Sequence, residues 1–430
     1  MSEPERSPWA SAPLAAAYVA FPLAMAASRL LGLPLSRNWI DGLWALWAMG
    51  CLLAVLARAR PEDSSRPSGP ISPDDSGHVG RHGPDRTGRM PLAWPLAALL
   101  LVLAVLLRFG PGLLGDEADL TPWLMELKPF FYLAVAGLAA AAAGLPGPRS
   151  FLRFSAALAA LIILELGLAS LVADELVRPQ GSGEINYDAT LLLLGLCLGL
   201  HERAPALKAL TLAGIAASMS RTTLASASLV ALICWPGLSL AKRLAVSLAL
   251  LACVGLAFDL RGLSMDGLEE LDRYWMWTTG LTLLEEHPVQ AMIGFPPGEP
   301  LSVETPDALW ELWAEQAQAK AAPGVHAYNF HAFWLRLALT WGLAGVLAAL
   351  ALAAPLFRRG PRARGLGLAV CVQGLTMGLF YLGNVAPVLL LAWWRVGSGP
   401  FLACDSVNPL SVPEPSPADT PVRAGREAAR

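Results

Sequence analysis

Three side chains far apart in the sequence have the right chemistry to act together on a phosphate-linked substrate. Arg221 stands in the segment MSRTT, Arg273 in DRYWMWTT, and His331 in HAYNFHAFWLRLALTWGLAG. A guanidinium is permanently charged and offers a rigid fork of donors that fits phosphate oxygens. An imidazole can take up a proton near neutral pH. Two guanidiniums and one imidazole would therefore suit a site that holds a phosphate group and moves a proton beside it.

Each of these side chains also has an ordinary structural explanation. Arg273 follows Glu269 and Glu270 by four and three residues, which is the spacing of a surface ion pair on a helix. The long side chain of Arg221 can simply extend to a membrane interface. A histidine among aromatic residues, such as His331, is often a hydrogen-bonding anchor. A shared site is favoured only if the fold brings the three together.

The composition indicates a membrane protein. Hydrophobic residues make up 55% of the 430 residues and charged residues 15%, and the mean hydropathy is +0.50, well beyond an ordinary soluble domain. Apolar stretches of about 17 to 25 residues can each cross the hydrocarbon core of a bilayer as a helix. We therefore predict an all-α, polytopic integral membrane protein.

Twelve apolar segments are predicted to be transmembrane helices, together forming one transmembrane domain over 1-404. They lie near 13-33, 39-57, 91-107, 129-145, 151-172, 188-201, 205-219, 222-238, 243-258, 332-356, 365-382 and 383-394. With the N-terminus in the cytoplasm, most Lys and Arg between the segments fall on one side, as the positive-inside rule requires.

The segment 204-238 is either one long helix or two short ones. One helix would bury Arg221 at mid-membrane, at a cost of about 2.5 kcal/mol or more, and would place Lys242 and Arg243 on the wrong side. Two short helices avoid both problems. We therefore expect a helical hairpin with Arg221 at its outer end.

The remaining segments are predicted to be loops and a tail. The stretch 60-90 is rich in Pro, Gly, Ser and Arg, which is typical of a disordered cytoplasmic loop, and 405-430 has the composition of a flexible cytoplasmic tail. The stretch 259-331 is too long for a plain connection. We expect it to be a partly helical periplasmic loop, with one helix at about 266-286 and an interfacial helix that begins after Thr305.

Four stretches in the right order resemble the O-antigen ligase and polymerase family of bacterial inner-membrane glycosyltransferases, over about residues 178 to 350. RPQGSGEINYDATLLLLGLCLGL is similar to the family's Gly-Asn-x-Asn stretch, and MSRTTLASASL to its Ser-Arg turn between short helices. DRYWMWTTGLTLLEEHPVQAMIGFPPG resembles its Arg-x-x-x-Trp helix with His-Pro and a Gly-rich turn. HAFWLRLALTWGLAG resembles its His element, in which a Gly-x-x-Gly begins eleven residues beyond the His, and this selects His331 over His326.

The chain departs from the family pattern at several positions. Asp188 stands at the second Asn of the first stretch, and the Gly-rich turn is displaced to Gly294 and Gly298. His331 is followed by Ala where Asn is usual, and Asn329 is a possible substitute for that Asn. These departures bear on which acceptor is used rather than on the fold.

The resemblance implies transfer of a polyprenyl-pyrophosphate-linked glycan to an acceptor on the periplasmic side of the inner membrane. The positive-inside orientation of the twelve predicted spans places both termini in the cytoplasm. The acceptor would be lipid A-core for a ligase, and a growing glycan or a protein for a polymerase or a protein-glycosylating relative. No metal, cofactor, nucleotide sugar or nucleic acid is expected. Arg221 and Arg273 would hold the pyrophosphate. His331 would orient or deprotonate the acceptor hydroxyl, or would stabilise the leaving phosphate as an imidazolium.

Several further residues are expected to bind substrate or to support the site. Asn186, Asp188, Arg336, Asn329 and His326 are the predicted substrate-binding residues, although Asp188 could equally cap its helix and Arg336 could extend to the interface. Glu165 is either functional, because it is ionisable within an apolar helix, or paired with an arginine such as Arg29 or Arg336. A transporter of lipid-linked sugars, with charged residues facing one another at the membrane midplane, is the alternative outside this class.

Overall fold

The structure is a computed structural model that describes residues 8–32, 38–58, 120–259, 272–306 and 324–397. Over these ranges the chain is helical and contains no β-strand beyond an isolated bridge between Leu301 and Val325. The predicted all-α class is therefore confirmed. The predicted span near 91-107, the loop 60-90, the interfacial helix after Thr305 and the tail 405-430 lie outside the described residues.

The described helices are numbered here in chain order. They are α1 (Trp9–Leu30), α2 (Asn38–Arg58), α3 (Leu120–Ala143), α4 (Pro148–Ala173), α5 (Ile185–Leu198), α6 (Pro205–Ala217), α7 (Arg221–Cys234), α8 (Leu240–Asp259), α9 (Asp272–Glu286), α10 (Pro288–Ile293), α11 (Phe333–Arg358), α12 (Pro361–Gln373) and α13 (Ala386–Gly397).

Within the described ranges, six helices are long and apolar enough to cross a membrane: α1, α2, α3, α4, α8 and α11. Four more, α5, α6, α7 and α13, are apolar but only 10–17 residues long. A helix of about 14 residues measures about 21 Å, which is short of the roughly 30 Å hydrocarbon core. The membrane character of the chain is thus supported, while the count of twelve spans stays a prediction.

The helix predicted at 365-382 is present, but its predicted end is wrong. Helix α12 ends at Gln373, and the chain then turns before a short 3-10 helix at Leu379–Tyr381. The sequence after Gln373 reads GLTMG, and glycine and threonine are poor helix formers. The apolar run was long enough for one span, but its backbone does not continue as a helix.

The hairpin predicted for 204-238 is present as two helices, α6 and α7. Met219 in the turn has a positive φ of 51°, which is rare for a residue with a long side chain. The hydroxyls of Ser220 and Thr223 lie 3.0 Å apart at the start of α7. Small residues allow α6 to pack closely, since a methyl group added at Gly214 would lie 2.4 Å from the Cβ of Ala159 on α4.

Gln373 joins three helices in the buried core. Its Nε2 donates to the Oγ1 of Thr223 on α7 at 3.0 Å and to the Oγ of Ser226 at 3.3 Å, and its Oε1 accepts from the hydroxyl of Thr190 on α5 at 3.3 Å. Buried polar groups are costly unless they find partners. The end of α12 is therefore held in one register against the starts of α5 and α7.

Helices α10 and α11 touch backbone to backbone at two glycines. Gly342 has a φ of 66° and interrupts α11, and Gly294 after α10 has a φ of 86°. A Cβ at Gly294 would lie 2.1 Å from the carbonyl oxygen of Thr340, and one at Gly342 would lie 2.3 Å from the backbone of Met292. Because the kink leaves carbonyls of α11 without helical partners, the Leu339 oxygen accepts from the backbone N–H of Phe295 at 2.6 Å.

Alanine at Gly294 should destabilise the protein more than alanine at a glycine with a similar φ in open space. Gly237 is such a control, because its φ is 74° and nothing lies within 4 Å of its added Cβ. We expect Gly237→Ala to cost about 1–2 kcal/mol through backbone strain alone, and Gly294→Ala about 1–3 kcal/mol more through overlap with α11. Thermal unfolding in detergent measures both, and equal melting temperatures would contradict the contact.

Candidate functional site

One end of the helix bundle gathers the residues predicted to do chemistry. The hydrogen bonds of Gln373 place the end of α12 beside the starts of α5 and α7. Arg221 is the first residue of α7, and His331 lies two residues before α11. The loop before α5 and the start of α9 complete this end of the molecule.

The backbone just after α12 is the attachment point for two other helices. We call the backbone oxygens of Cys371 and of residues 374–377 the carbonyl cluster. Helix α9 contacts it through Arg273, whose Nε donates to the Thr376 oxygen at 3.1 Å, and through Trp277, whose indole N–H donates to the Leu375 oxygen at 2.8 Å. The second residue of α9 is therefore fixed at this end of the bundle.

Helix α11 begins on the same carbonyl cluster. The backbone N–H groups of Phe333 and Trp334 donate to the oxygens of Met377 at 3.0 Å and Gly374 at 3.2 Å. The Trp334 indole donates to the Cys371 oxygen at 2.9 Å. These are donors and acceptors that helix ends leave without partners of their own. The contacts fix the residues just before α11, and therefore His331.

Glu184 links these elements and was missed by the sequence analysis. Its Oε1 lies 3.8 Å from the Nη2 of Arg273 and accepts from the side-chain amide of Asn186 at 3.1 Å. Burial alone would raise the pKa of the Glu184 carboxyl, but hydrogen bonds from Tyr187 and Asn186 and the electrostatic influence of Arg273 and His331 bring that pKa below its ordinary value. The carboxylate is therefore ionised, close to the Arg273 guanidinium and within electrostatic reach of the His331 ring.

A third arginine at this end, Arg178, was also missed. Its Nη2 donates to the Asn186 Oδ1 at 2.8 Å, and its Nε donates to the backbone oxygen of Ser218 at 3.4 Å. Arg178 thus ties the loop before α5 to the turn between α6 and α7. Both Glu184 and Arg178 stand in the stretch RPQGSGEINYD, so a search of that stretch for charged residues would have found them.

Arg221 is connected to the same place through its neighbour. Thr376 donates its hydroxyl to the Oγ1 of Thr222 at 3.0 Å, while the backbone oxygen of Thr376 accepts from Arg273. The Arg221 guanidinium carbon lies 4.4 Å from the ring centroid of Phe258 at the end of α8, a cation–π contact. The segment that carries Arg221 and the Arg273 side chain therefore both contact Thr376. The alternative partners of Arg273, Glu269 and Glu270, lie outside the described residues.

Glu165 has the structural role that was one of its two predicted alternatives. Its carboxylate lies 3.2 Å from the Nη2 of Arg29. It also accepts from the backbone N–H groups of Gln180 at 3.1 Å and Gly181 at 3.0 Å. Glu165 therefore holds the loop that carries Arg178 and Glu184.

Asp188 lies in the core rather than on the open face of the site. It is fully buried and accepts from the backbone N–H and the hydroxyl of Ser182, both at 2.6 Å. Ser182 in turn accepts from the side-chain amide of Asn384 at 3.1 Å. Of the two predicted substrate ligands in this stretch, Asn186 is partly exposed beside Glu184 and Arg178, whereas Asp188 holds the loop in shape.

Arg336 lies in a buried ion pair instead of extending outward. Its Nη2 is 2.9 Å from Glu126 Oε1, it donates to the Met125 oxygen at 2.9 Å, and its guanidinium carbon lies 3.5 Å from the ring centroid of Tyr381. Glu126 also accepts from the Thr340 hydroxyl at 3.2 Å. The alternative that Arg336 extends to the interface is therefore wrong.

The remaining predicted ligands shape the turn that leads to His331. The Asn329 Oδ1 accepts from the backbone N–H of His326 at 2.8 Å. The buried His326 ring stacks on Tyr328, with 5.4 Å between centroids. Both residues belong to the 3-10 turn around Ala327–Asn329, and this contact within the turn does not by itself assign either of them a substrate.

The buried pair of Glu126 and Arg336 should show strong coupling. We expect Glu126→Leu or Arg336→Met alone to cost about 3–5 kcal/mol, because each leaves an uncompensated charge in the core, whereas the double variant should cost much less than the sum. Unfolding of the four purified proteins in detergent completes the double-mutant cycle. Additive effects would mean that the pair is not coupled as the 2.9 Å contact implies.

Comparisons of this chain with protein-family models, with curated proteins and with solved structures found no match.

Proposed function

We propose that this protein is a membrane glycosyltransferase that transfers a polyprenyl-pyrophosphate-linked glycan to an acceptor hydroxyl. The observation that carries the proposal is the meeting of α9 and α11 on the carbonyl cluster. It brings Arg273 and His331 to the end of the bundle where α7 begins with Arg221. Arg178, on the loop before α5, adds a further cation there.

The proposed reaction is a substitution at the anomeric carbon of the donor. The acceptor oxygen forms a bond to that carbon while the bond from the carbon to the pyrophosphate oxygen breaks, and the electron pair leaves with the lipid pyrophosphate. Arg221 and Arg273 stabilise the charge that develops on the leaving group. His331 takes the proton of the attacking hydroxyl. No metal or cofactor is part of the proposal.

The distribution of charge supports a periplasmic site. At the opposite end of the helices, Glu202 in the α5–α6 loop pairs with Arg362 of α12 at 2.9 Å, which shows that these connections meet. The basic residues of that end are Arg149, Arg153, Arg203, Lys208, Lys242, Arg243, Arg358, Arg359, Arg362, Arg364 and Arg395. By the positive-inside rule this end would face the cytoplasm. This charge distribution supports our proposal that the protein lies in the bacterial inner membrane with its site on the periplasmic side.

A transporter of lipid-linked sugars is less well supported. Buried charges at the bilayer midplane would favour it, and the described pair of Arg336 and Glu126 is the best candidate. Arg336 is the fourth residue of α11 and Glu126 the seventh of α3. At 1.5 Å per residue they lie only about 5 and about 9 Å from their helix starts. The pair is thus near one end of the helices, as expected of a structural anchor.

Alanine at Arg221, Arg273 or His331 should abolish transfer while the protein still inserts in the membrane. Arg149→Ala is the matched control, because Arg149 is an exposed arginine at the opposite end of the bundle. We expect a loss of at least about 100-fold for each site variant, typical of a removed charge-stabilising or proton-transferring group. Transfer from lipid-linked glycan to core lipopolysaccharide is measured in isolated membranes. Full activity of Arg273→Ala would contradict its role.

Deletion of the gene should separate ligase from polymerase. In a lipopolysaccharide gel, bare core with accumulated lipid-linked polymer would identify a ligase, the function we favour, and core carrying one repeat would identify a polymerase. Complementation with the intact gene is the control. An unchanged ladder would exclude both functions for that glycan.

A further inference from the structure

We propose that Glu184 is a positioning residue for His331: its carboxylate orients the imidazole and balances the charge that the ring gains on taking the acceptor's proton. This inference rests on the proposed function and extends it to a residue outside the arginine and histidine set. It concerns proton transfer rather than binding of the donor.

The position of Glu184 carries the inference. It is the residue immediately before α5, and its Oε1 faces the Arg273 Nη2 at 3.8 Å. Arg273 donates to the Thr376 oxygen, and the next residue, Met377, accepts from the first N–H of α11. A methyl group added at Gly378 would lie 3.5 Å from the backbone oxygen of His331. Three successive residues, 376 to 378, thus lie against Arg273, the start of α11 and His331.

The carboxylate is also open to a substrate. The side chains of Glu184 and Arg273 are 28% and 31% exposed, so their contact is accessible to solvent. An ion pair of this exposure contributes little stability. The Asn186 amide nevertheless fixes the Glu184 Oε1 at 3.1 Å, and Arg178 holds that same amide side chain from its other atom at 2.8 Å. A carboxylate held this firmly at an exposed place is better suited to chemistry than to folding.

The electrostatics support the same role. The influence of His331 is among the effects that lower the pKa of the Glu184 carboxyl, and the interaction between two charges is mutual. A negative carboxylate therefore favours the protonated form of the imidazole. In the transfer step, the proton leaves the acceptor hydroxyl as its oxygen bonds to the anomeric carbon, and it moves to His331. Glu184 keeps its own charge throughout, as the carboxylate does in a Ser-His-Asp triad.

The variants Glu184→Gln and Glu184→Asp test the proposal. The full chain is purified in detergent, with lipid-linked glycan and core lipopolysaccharide extracted from the deletion strain as the substrates. Glu184→Gln should lower kcat by about 100-fold or more with a small change in KM for the donor, because proton transfer is impaired and donor binding is not. Glu184→Asp, which keeps the charge, should recover part of kcat. Glu202→Gln is the control, since Glu202 is also a partly exposed carboxylate paired with an arginine, at the opposite end.

The pH profile separates a chemical role from a structural one. Without the carboxylate, the imidazolium is less stable, so the ring loses its proton at a lower pH. The acidic limb of the kcat profile should therefore move to lower pH in Glu184→Gln. The other charged or titratable groups on the surrounding elements, Arg178, Asp188, Arg221, Arg273 and Tyr187, are the same in both proteins, including the buried Asp188 carboxyl. A structural defect would lower the whole profile without moving its limb.

The outcomes are distinguishable. An active wild type with an equally active Glu184→Gln would overturn the role of Glu184 and leave the proposed function standing. That role is also overturned if Glu184→Gln binds donor more tightly and keeps its kcat. In that case, Glu184 would only compete with the donor for Arg273. Loss of activity in Glu184→Asp and Glu184→Gln alike, with an unmoved pH limb, overturns it as well. No transfer by the wild type with these substrates would reject the proposed function and this inference together.

Discussion

The early end of α12 is the constraint on which the rest of this structure depends. Each backbone carbonyl that loses its helical partner must find another donor when it is buried. In the last turn, the oxygens of Val370, Val372 and Gln373 accept from N–H groups of the turn itself. The carbonyl cluster instead accepts from α9 and α11. The break after α12 therefore supplies hydrogen-bond acceptors for α9 and α11. Helix α9 carries Arg273, and His331 lies two residues before α11.

This arrangement explains how charged groups are held at the end of an apolar bundle. The guanidinium of Arg273 needs acceptors, and the negative end of α12 offers carbonyl oxygens beside the Glu184 carboxylate. Gln373, the last residue before the turn, fixes that end against α5 and α7 from inside the core. The end of α12 thus makes buried polar contacts through Gln373 on its inner face and contacts the exposed Arg273, the partner of Glu184, on its outer face. A change on the inner face would move the outer one.

The sequence was informative where the pattern is local. The hairpin of α6 and α7 followed from the cost of burying Arg221, and the pairing of Glu165 was among its stated alternatives. What the sequence could not predict depends on contacts between distant residues. Glu184 meets Arg273 of α9 only after folding, and Arg178 likewise reaches the backbone of Ser218 in the turn between α6 and α7. The end of α12 was missed because hydropathy reports burial and not backbone geometry, and Arg336 was misplaced because its partner Glu126 lies 210 residues away.

The glycines of the resemblance also gain a physical meaning. Gly294 follows the His-Pro helix, and Gly342 opens the Gly-x-x-Gly that follows His331 by eleven residues. In the structure these two glycines allow α10 and α11 to meet backbone to backbone. Neither glycine can hold a phosphate or move a proton by a side chain. Instead, the close contact at these two glycines fixes the position of α10 against α11. Because α10 directly follows α9, the contact also relates α9 to α11. These glycines therefore help to set the distance between the element that carries Arg273 and the element that carries His331.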